Sequence, residues 1–272
     1  MSLGVKEYYD ANAAYEWGRL DRHPYEFAIT KYMMDKFIKP GQSVLDIGGG
    51  PGRYSIYLAQ KGCDVTLLDL SEGNISYALQ KSIEAGVKLR ACAQNCLTVD
   101  PGEYGQYDHV LLMGPLYHMW NAADREAAVQ AALDCLKPGG YFYASFILTF
   151  AHILYNLQHP ETVQKTFYSG EGDEILRAIK NHENWGCEAF TYLYSWDPAN
   201  ILPFMSKFDL ERVTLFGQEG ILSPNYTSLI QRSGEAQKLW INIALELCEM
   251  PEFLNYSEHA MYIGRKPLPE RR

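Results

Sequence analysis

Val44-Leu45-Asp46-Ile47-Gly48-Gly49-Gly50-Pro51-Gly52-Arg53-Tyr54-Ser55, the stretch VLDIGGGPGRYS, runs from an apolar segment into a glycine-rich turn and then into a helical pattern. Val44, Leu45 and Ile47 read as the end of a buried strand, with Asp46 set among them. Gly48, Gly49, Gly50 and Gly52 remove side chains where the backbone must bend and a ligand must come close. Pro51 and Gly52 open a helix whose first N–H groups have no intrahelical partner and face the turn. A strand, a glycine turn and a helix in this order predict a nucleoside-cofactor site on a parallel α/β sheet.

The spacing narrows the cofactor. A dinucleotide site wants G-x-G-x-x-G/A, the last small residue letting the helix pack beneath a pyrophosphate. Counted from Gly48 that place is held by Arg53, and from Gly50 by Ser55, so a nicotinamide oxidoreductase is disfavoured. What stands here is D-x-G-x-G-x-G, Asp46 to Gly52, which resembles the first motif of the class I S-adenosylmethionine-dependent methyltransferases. The resemblance is close over Gln42 to Phe146 and extends to Leu136-Lys137-Pro138-Gly139-Gly140, a turn ahead of the apolar strand YFYASF. It implies a Rossmann-like, doubly wound seven-stranded sheet whose last strand is antiparallel, with S-adenosylmethionine as cofactor.

Val65 to Leu70, VTLLDL, forms the second strand and ends in Asp69, 21 residues after Gly48. That is close to the separation of about 20 expected of the acid that accepts both vicinal ribose hydroxyls. A third strand, Lys88 to Ala93, leads to Gln94-Asn95-Cys96. Where the family commonly places an acid against the adenine amino group, this chain has Asn95, whose amide can accept from that group and donate to a ring nitrogen. Along with Asp69 and Asn95, the resemblance assigns Asp46, Gly48, Gly49, Gly50, Leu70, Cys96 and Met113 to the cofactor site.

The fourth strand, Tyr107 to Met113, supplies the other wall of the crevice, and its loop Gly114-Pro115-Leu116-Tyr117-His118 faces both methyl donor and acceptor. DNA amino-methyltransferases carry N/D-P-P-Y/F here; this loop lacks the polar first residue and the second proline. His118 is the histidine that the topology places in the crevice, a candidate general base for an oxygen or nitrogen acceptor, with Tyr117 beside it as a substrate contact. A histidine bonded to backbone is the plainer alternative. His109, at the entry end of the strand, reads as structural.

Composition bounds the rest. A formal net charge of −9 over 272 residues argues against nucleic acid as partner. Six cysteines without a C-x-x-C pair read as free thiols in a reducing compartment, with no metal site. No signal peptide and no long charge-free apolar span are present, so a cytoplasmic protein without a membrane partner is expected. Oligomeric state is left open by the pattern.

Ahead of the first strand, Tyr25, Ala28, Ile29, Tyr32, Met33 and Phe37 give an amphipathic helix between Pro24 and Pro40-Gly41. The resemblance implies that this end of the chain folds over the cofactor, bringing Tyr8, Tyr15 and Arg19 to its wall, while packing on a sheet edge is the bland account of the aromatics. Residues 1–39 are therefore expected as a helical lid, 40–148 and 198–272 as the core, and 149–197 as a cap inserted after the fifth strand. Within the cap, AFTYLYSW sets Phe190, Tyr192, Tyr194 and Trp196 at alternate positions, one face of an extra strand. That face either packs on cap helices through Ile175, Leu176 and Ile179 or roofs the acceptor pocket with Tyr192 and Tyr194. Asp197-Pro198 restarts a helix that Pro203 should kink or end. Phe208–Phe216 and Ala260–Arg265 read as the antiparallel last two strands, and Ala236, Leu239, Trp240, Ile243, Ala244, Leu247 and Cys248 as a core-packing stripe between them. The reading that results is a methyltransferase acting on a small molecule by in-line displacement. A non-catalytic cofactor-binding protein and a protein methyltransferase are its alternatives.

Overall fold

The computed structural model describes residues 4–189, 191–225, 229 and 234–269. Its strands are β1 (Ser43–Ile47), β2 (Asp64–Asp69), β3 (Arg90–Ala93), β4 (Tyr107–Leu112), β5 (Leu136–Ile147), β6 (Trp185–Glu188), β7 (Tyr192–Ser195), β8 (Glu211–Gly217) and β9 (His259–Arg265). Seven of them form one sheet in the order β3-β2-β1-β4-β5-β9-β8. β1 is central and parallel to both neighbours, Val44 pairing with Val65 on one side and His109 on the other. Strands buried on both faces must be apolar at successive positions. Val44 and Leu111 accordingly face one hydrophobic cluster, and Leu45 and Leu112 the other.

Helices Arg53–Gln60, Glu72–Glu84 and Ala122–Asp134 alternate with the strands. β9 runs antiparallel to both β5 and β8. Of the two last strands only β9 is therefore reversed; β8 shares the direction of the others. Residues Leu136 to Gly140, expected as a turn before the fifth strand, are the start of β5 itself. Tyr107 pairs with Leu136 and His109 with Tyr141, so the turn is absorbed as an irregularity within the pairing.

The C-terminal helix, Gly234–Leu247, corrects the expected stripe. Leu239 is 61% exposed and Trp240 lies at the surface, whereas Ala244 and Cys248 are buried and Ile241 and Leu245 pack beside them. Ala244 lies at ordinary contact distance from the Gly220 position, and the buried line runs through Ala244 and Cys248, leaving Leu239 and Trp240 outside. Pro203 ends its helix early, at Met205. All six cysteines are free. No helix among the described residues is long and apolar enough to cross a membrane.

Two additions cover the carboxyl edge of the sheet. Helices Val5–Trp17, Arg19–Arg22 and Pro24–Asp35 precede β1. The first is tied to the start of helix Glu72–Glu84 by Asp10, which accepts from the Ser71 hydroxyl at 2.7 Å and the Gly73 N–H at 3.0 Å. A carboxylate at a helix N-terminus is favourably placed. After β5 come helices Ala151–Gln158, Val163–Tyr168 and Glu171–Lys180 and the ribbon β6–β7. Trp185 of β6 packs with Ile175, Ala178 and Ile179, so the cap helix meets β6 and not the aromatic row of β7. Trp196 is buried between Phe146 and Phe204, and Phe190 lies outside the described residues.

Beneath the glycine turn Asp46 is 2% exposed and accepts a hydrogen bond from Ser55 at 2.7 Å. Burial pushes its carboxyl up to about 7. The unfolded chain would ionise near the ordinary carboxylate value, so this group's contribution is full in acid and lost as pH rises through about 7. Asp46→Asn should therefore gain stability relative to the native protein between pH 5 and pH 8, by on the order of 2–4 kcal/mol. Denaturant titrations at both pH values measure this, and an unchanged difference would show the carboxylate to be ionised in the fold.

Candidate active site

The turn after β1 is closed on itself. Gly48 donates its N–H to Leu68 O at 2.6 Å, Gly50 to Asp69 Oδ2 at 2.8 Å and Gly52 to Gly49 O at 3.1 Å. A pyrophosphate needs such N–H groups free. Here those of the turn are engaged. Gly48 has φ +71°, and a Cβ there would sit 2.4 Å from Pro115. A Cβ on Gly114 would lie 2.6 Å from Gly48 O. The turns after β1 and β4 thus touch backbone to backbone. A Cβ on Gly49 would strike Asp46 at 2.4 Å, so Asp46 supports the turn from within the core.

Asp69 ends β2 beside this turn. Its Oδ2 accepts from Gly50, and its Oδ1 accepts from Ser71 N at 2.9 Å and Asn74 Nδ2 at 3.2 Å. A carboxylate has about four acceptor positions, so one remains on Oδ2. Burial raises the pKa of this acid, with the three donors opposing it. Leu70 is exposed next to it, and Met113 is half-buried at the end of β4. Asn95 caps the short turn Cys96–Thr98 by accepting from Leu97 N, and its side-chain nitrogen makes no hydrogen bond among the described residues. Cys96 is half-buried, its thiol pushed up to about 12 by burial.

On the other side of the crevice His118 joins three segments. Its Nδ1 lies 2.9 Å from the carbonyl oxygen of Tyr192 in the ribbon, and its Nε2 lies 2.7 Å from the hydroxyl of Tyr9 in the first helix. A carbonyl only accepts, so Nδ1 carries the proton and Nε2 accepts from Tyr9. Burial pushes the ring down to about 4, with the Tyr192 carbonyl opposing. The imidazole expected as general base is thus neutral, with both nitrogens engaged. Tyr117 packs edge-on to His118 at 4.8 Å between ring centres, its phenol pushed up to about 12 by burial.

The remaining expected contacts lie elsewhere. Tyr15 is 59% exposed, with the Arg22 guanidinium 3.9 Å over its ring. Tyr194 carries Arg125 at 3.7 Å over its ring, and with Trp196 and Phe204 it lines a separate cleft of 380 Å³. Tyr192 reaches His118 through its backbone, while its ring meets Trp120.

A family described as "Methyltransferase domain" matches residues 44–140, from β1 into β5. Over these residues the chain is similar to that domain. It is 34% identical over 118 residues to a ubiquinone biosynthesis O-methyltransferase of Marinobacter nauticus, covering 43% of this chain and 48% of that protein. The corresponding protein of Bordetella avium is 37% identical over 105 residues, 39% of this chain and 42% of that one. The chain thus spans about half the length of the curated relatives it matches. In fold it is similar to the magnesium protoporphyrin IX methyltransferase of Synechocystis with bound S-adenosylhomocysteine, at 16% identity, TM-score 0.57, and 96% and 98% coverage of the two chains. The N-methyltransferase NodS of Bradyrhizobium japonicum gives a TM-score of 0.53 at 13% identity, covering 92% of this chain and 91% of that one.

Near the crevice the structure also gathers Glu26, Glu219 and His259, which the sequence pattern does not single out. Arg19, expected at the cofactor wall, forms a two-pronged pair with Glu26 at 2.7 and 2.9 Å. Glu26 is buried; burial opposes its ionisation, but Arg19 holds it down at about 2. Glu219, wholly buried, lies 2.7 Å from Nδ1 of His259. Side-chain atoms of Glu26, Glu219 and His259 fall within 4.8 Å of one another, a spacing that suits a cation. Arg19 and the proton of His259 already supply the positive charge there. The sequence separations run from 26 to 259, and no local motif marks them. Tyr9 had a signal, the aromatic run at the start of the chain that forms the first helix, but not one that separates it from Tyr8.

If His118 is held as described, its ring should remain a neutral Nδ1–H tautomer down to about pH 4. Nitrogen-15 NMR of the imidazole across pH 4 to 8 reads this directly; titration near 6.5 would mean that Tyr9 and Tyr192 do not enclose it.

Proposed function

We propose that the protein transfers the methyl group of S-adenosylmethionine to a small-molecule acceptor in the crevice between β1 and β4. The observation that carries this reading is the turn itself. Its N–H groups are satisfied internally, while Asp69 keeps one acceptor position at the crevice edge. That arrangement suits a neutral ribose, and a cofactor with no pyrophosphate. We assign Leu70, Met113, Asn95 and Cys96 to the adenine ring, the Asn95 amide nitrogen, without a hydrogen bond among the described residues, being available to donate to a ring nitrogen. Arg19 spends two of its donors on Glu26 and has others to offer a carboxylate.

The cofactor supplies a sulfonium methyl, already a strong methyl donor, so the protein's task is alignment and exclusion of water. Tyr9 from the first helix and Tyr192 from the ribbon meet on His118. We read this contact as the closure of the crevice, which favours a small acceptor over a polypeptide. Relatives named ubiquinone biosynthesis O-methyltransferases support an oxygen acceptor of modest size.

Asp69→Ala should weaken S-adenosylmethionine binding by about 1.5–3 kcal/mol, the range for hydrogen bonds to charged groups. Calorimetric titration of a folded variant with unchanged affinity would overturn the ribose assignment. Methyl-labelled cofactor incubated with metabolite fractions should yield a labelled small product, identified by mass. Label found only in protein would favour a protein methyltransferase, and no transfer despite binding a non-catalytic role.

A further inference from the structure

We propose that the Glu219–His259 pair binds the methyl acceptor through an ionised hydroxyl, the His259 ring presenting its Nε2–H to the oxyanion that attacks the methyl group. This rests on the methyltransferase reading and adds to it the acceptor's charge state and the residue that meets it.

The geometry comes from the reversed strand. Because β9 runs antiparallel, its first residue, His259, pairs with Ile147 at the carboxyl end of β5. It therefore arrives on the same sheet edge as the turns after β1 and β4. Its ring lies 6.4 Å from that of Tyr117, the residue ahead of His118 in the β4 turn. Glu219 follows the end of β8 and is fixed before it touches the histidine. Its Oε2 accepts from the Ser257 hydroxyl at 2.8 Å, Glu258 N at 3.0 Å and His259 N at 2.9 Å. Only Oε1 is left for the imidazole, at 2.7 Å from Nδ1. This is the arrangement of a ring whose near nitrogen is oriented by a carboxylate, leaving the far one. That nitrogen, Nε2, makes no hydrogen bond with any described residue.

The charges around the ring settle its state. Burial disfavours the charged ring, but Glu219, with Glu26 adding to it and Arg19 opposing, lifts it to about 9. His23, from the turn between the second and third helices, is held neutral by burial, and the Glu258 carboxylate is occupied by Gln158 and Ser223. At neutral pH the ring is an imidazolium with one free donor. Arg19, Glu26, His259 and Glu219 alternate in sign, so the cluster is neutral as a whole. A hydroxyl that binds there as its anion releases its proton to solvent and pairs with His259. Methyl transfer then forms the oxygen–carbon bond, breaks the sulfur–carbon bond and cancels the oxyanion against the sulfonium. No further base is needed, which agrees with the neutral, fully engaged His118.

Chromogenic phenols test the state directly, because ionised and neutral forms absorb at different wavelengths. With the protein saturated by S-adenosylhomocysteine, 4-nitrophenol or 4-nitrocatechol should bind as the phenolate and ionise at least one pH unit lower than free in solution. His259→Gln should abolish that shift, and Glu219→Gln should reduce it, while both keep their S-adenosylhomocysteine affinity. Absence of bound phenolate in the native protein, or an unchanged shift in His259→Gln, would overturn the proposal. Calorimetry with S-adenosylhomocysteine separates the two levels. Cofactor binding without a phenolate signal rejects the role of His259 alone, and failure to bind the cofactor rejects the methyltransferase reading beneath it.

Discussion

The backbone contact between the turns after β1 and β4 is the constraint on which the site depends. At Gly48 and Gly114 a single added carbon would collide with Pro115 or with a carbonyl oxygen, so neither turn tolerates a side chain on its facing side. Two parallel strands that diverge at a switch point leave a crevice between their ends. Here the crevice floor is that contact. Asp46 supports it from the core through Ser55, and Asp69 ties its far side to the helix that follows β2. Both acids sit where water is excluded. Burial raises both carboxyls, and hydrogen bonds to the anion oppose it. Asp69 has three donors and Asp46 one, which is why the second is held up at about 7.

What lies on one side of this floor was legible in the sequence. The glycine turn, the strand-end acid and the apolar strands are local patterns, each set by a few consecutive residues. A strand buried on both faces must be apolar, and a turn pressed against another turn must be glycine. The composition of YFYASF and of VTLLDL therefore marks both as buried strands, while the sheet order is what the family resemblance implied. The C-terminal helix shows where local pattern fails. Its apolar residues cover more than one face, and periodicity does not say which face meets the sheet. Contacts with distant parts of the chain decide it, Ala244 and Cys248 packing in one cluster with Leu222 and Phe216.

The other side of the floor is assembled from afar, and was hardly legible. Tyr9, His118 and Tyr192 come from the first helix, the β4 turn and the ribbon, and meet through one imidazole. A reading of His118 alone finds a histidine in the right place and assigns it a base's role. Its partners change that role, because a ring that donates to a carbonyl and accepts from a phenol has no lone pair left to offer. The sequence shows the position of the group; its chemistry is set by atoms 74 and 109 residues away.

The chain of charges from half-buried Arg19 through Glu26 and His259 to Glu219 bears on the same point. Taking charged groups out of water is a poor route to stability, since desolvation offsets most of their mutual attraction and apolar residues of similar volume would pack at least as well. In that order Glu26 is held by Arg19, and Glu219 by Ser257 and the backbone ahead of His259, so both carboxylates are fixed by partners. Such an array costs its reorganisation energy on folding and not at each turnover. On the proposed reading, a crevice whose cofactor carries a reactive methyl would gain little from a stronger base and more from a preformed dipole that holds the attacking oxygen in its reactive charge state. The reversal of β9, a topological feature of the sheet, is what brings that dipole to the edge where it can act.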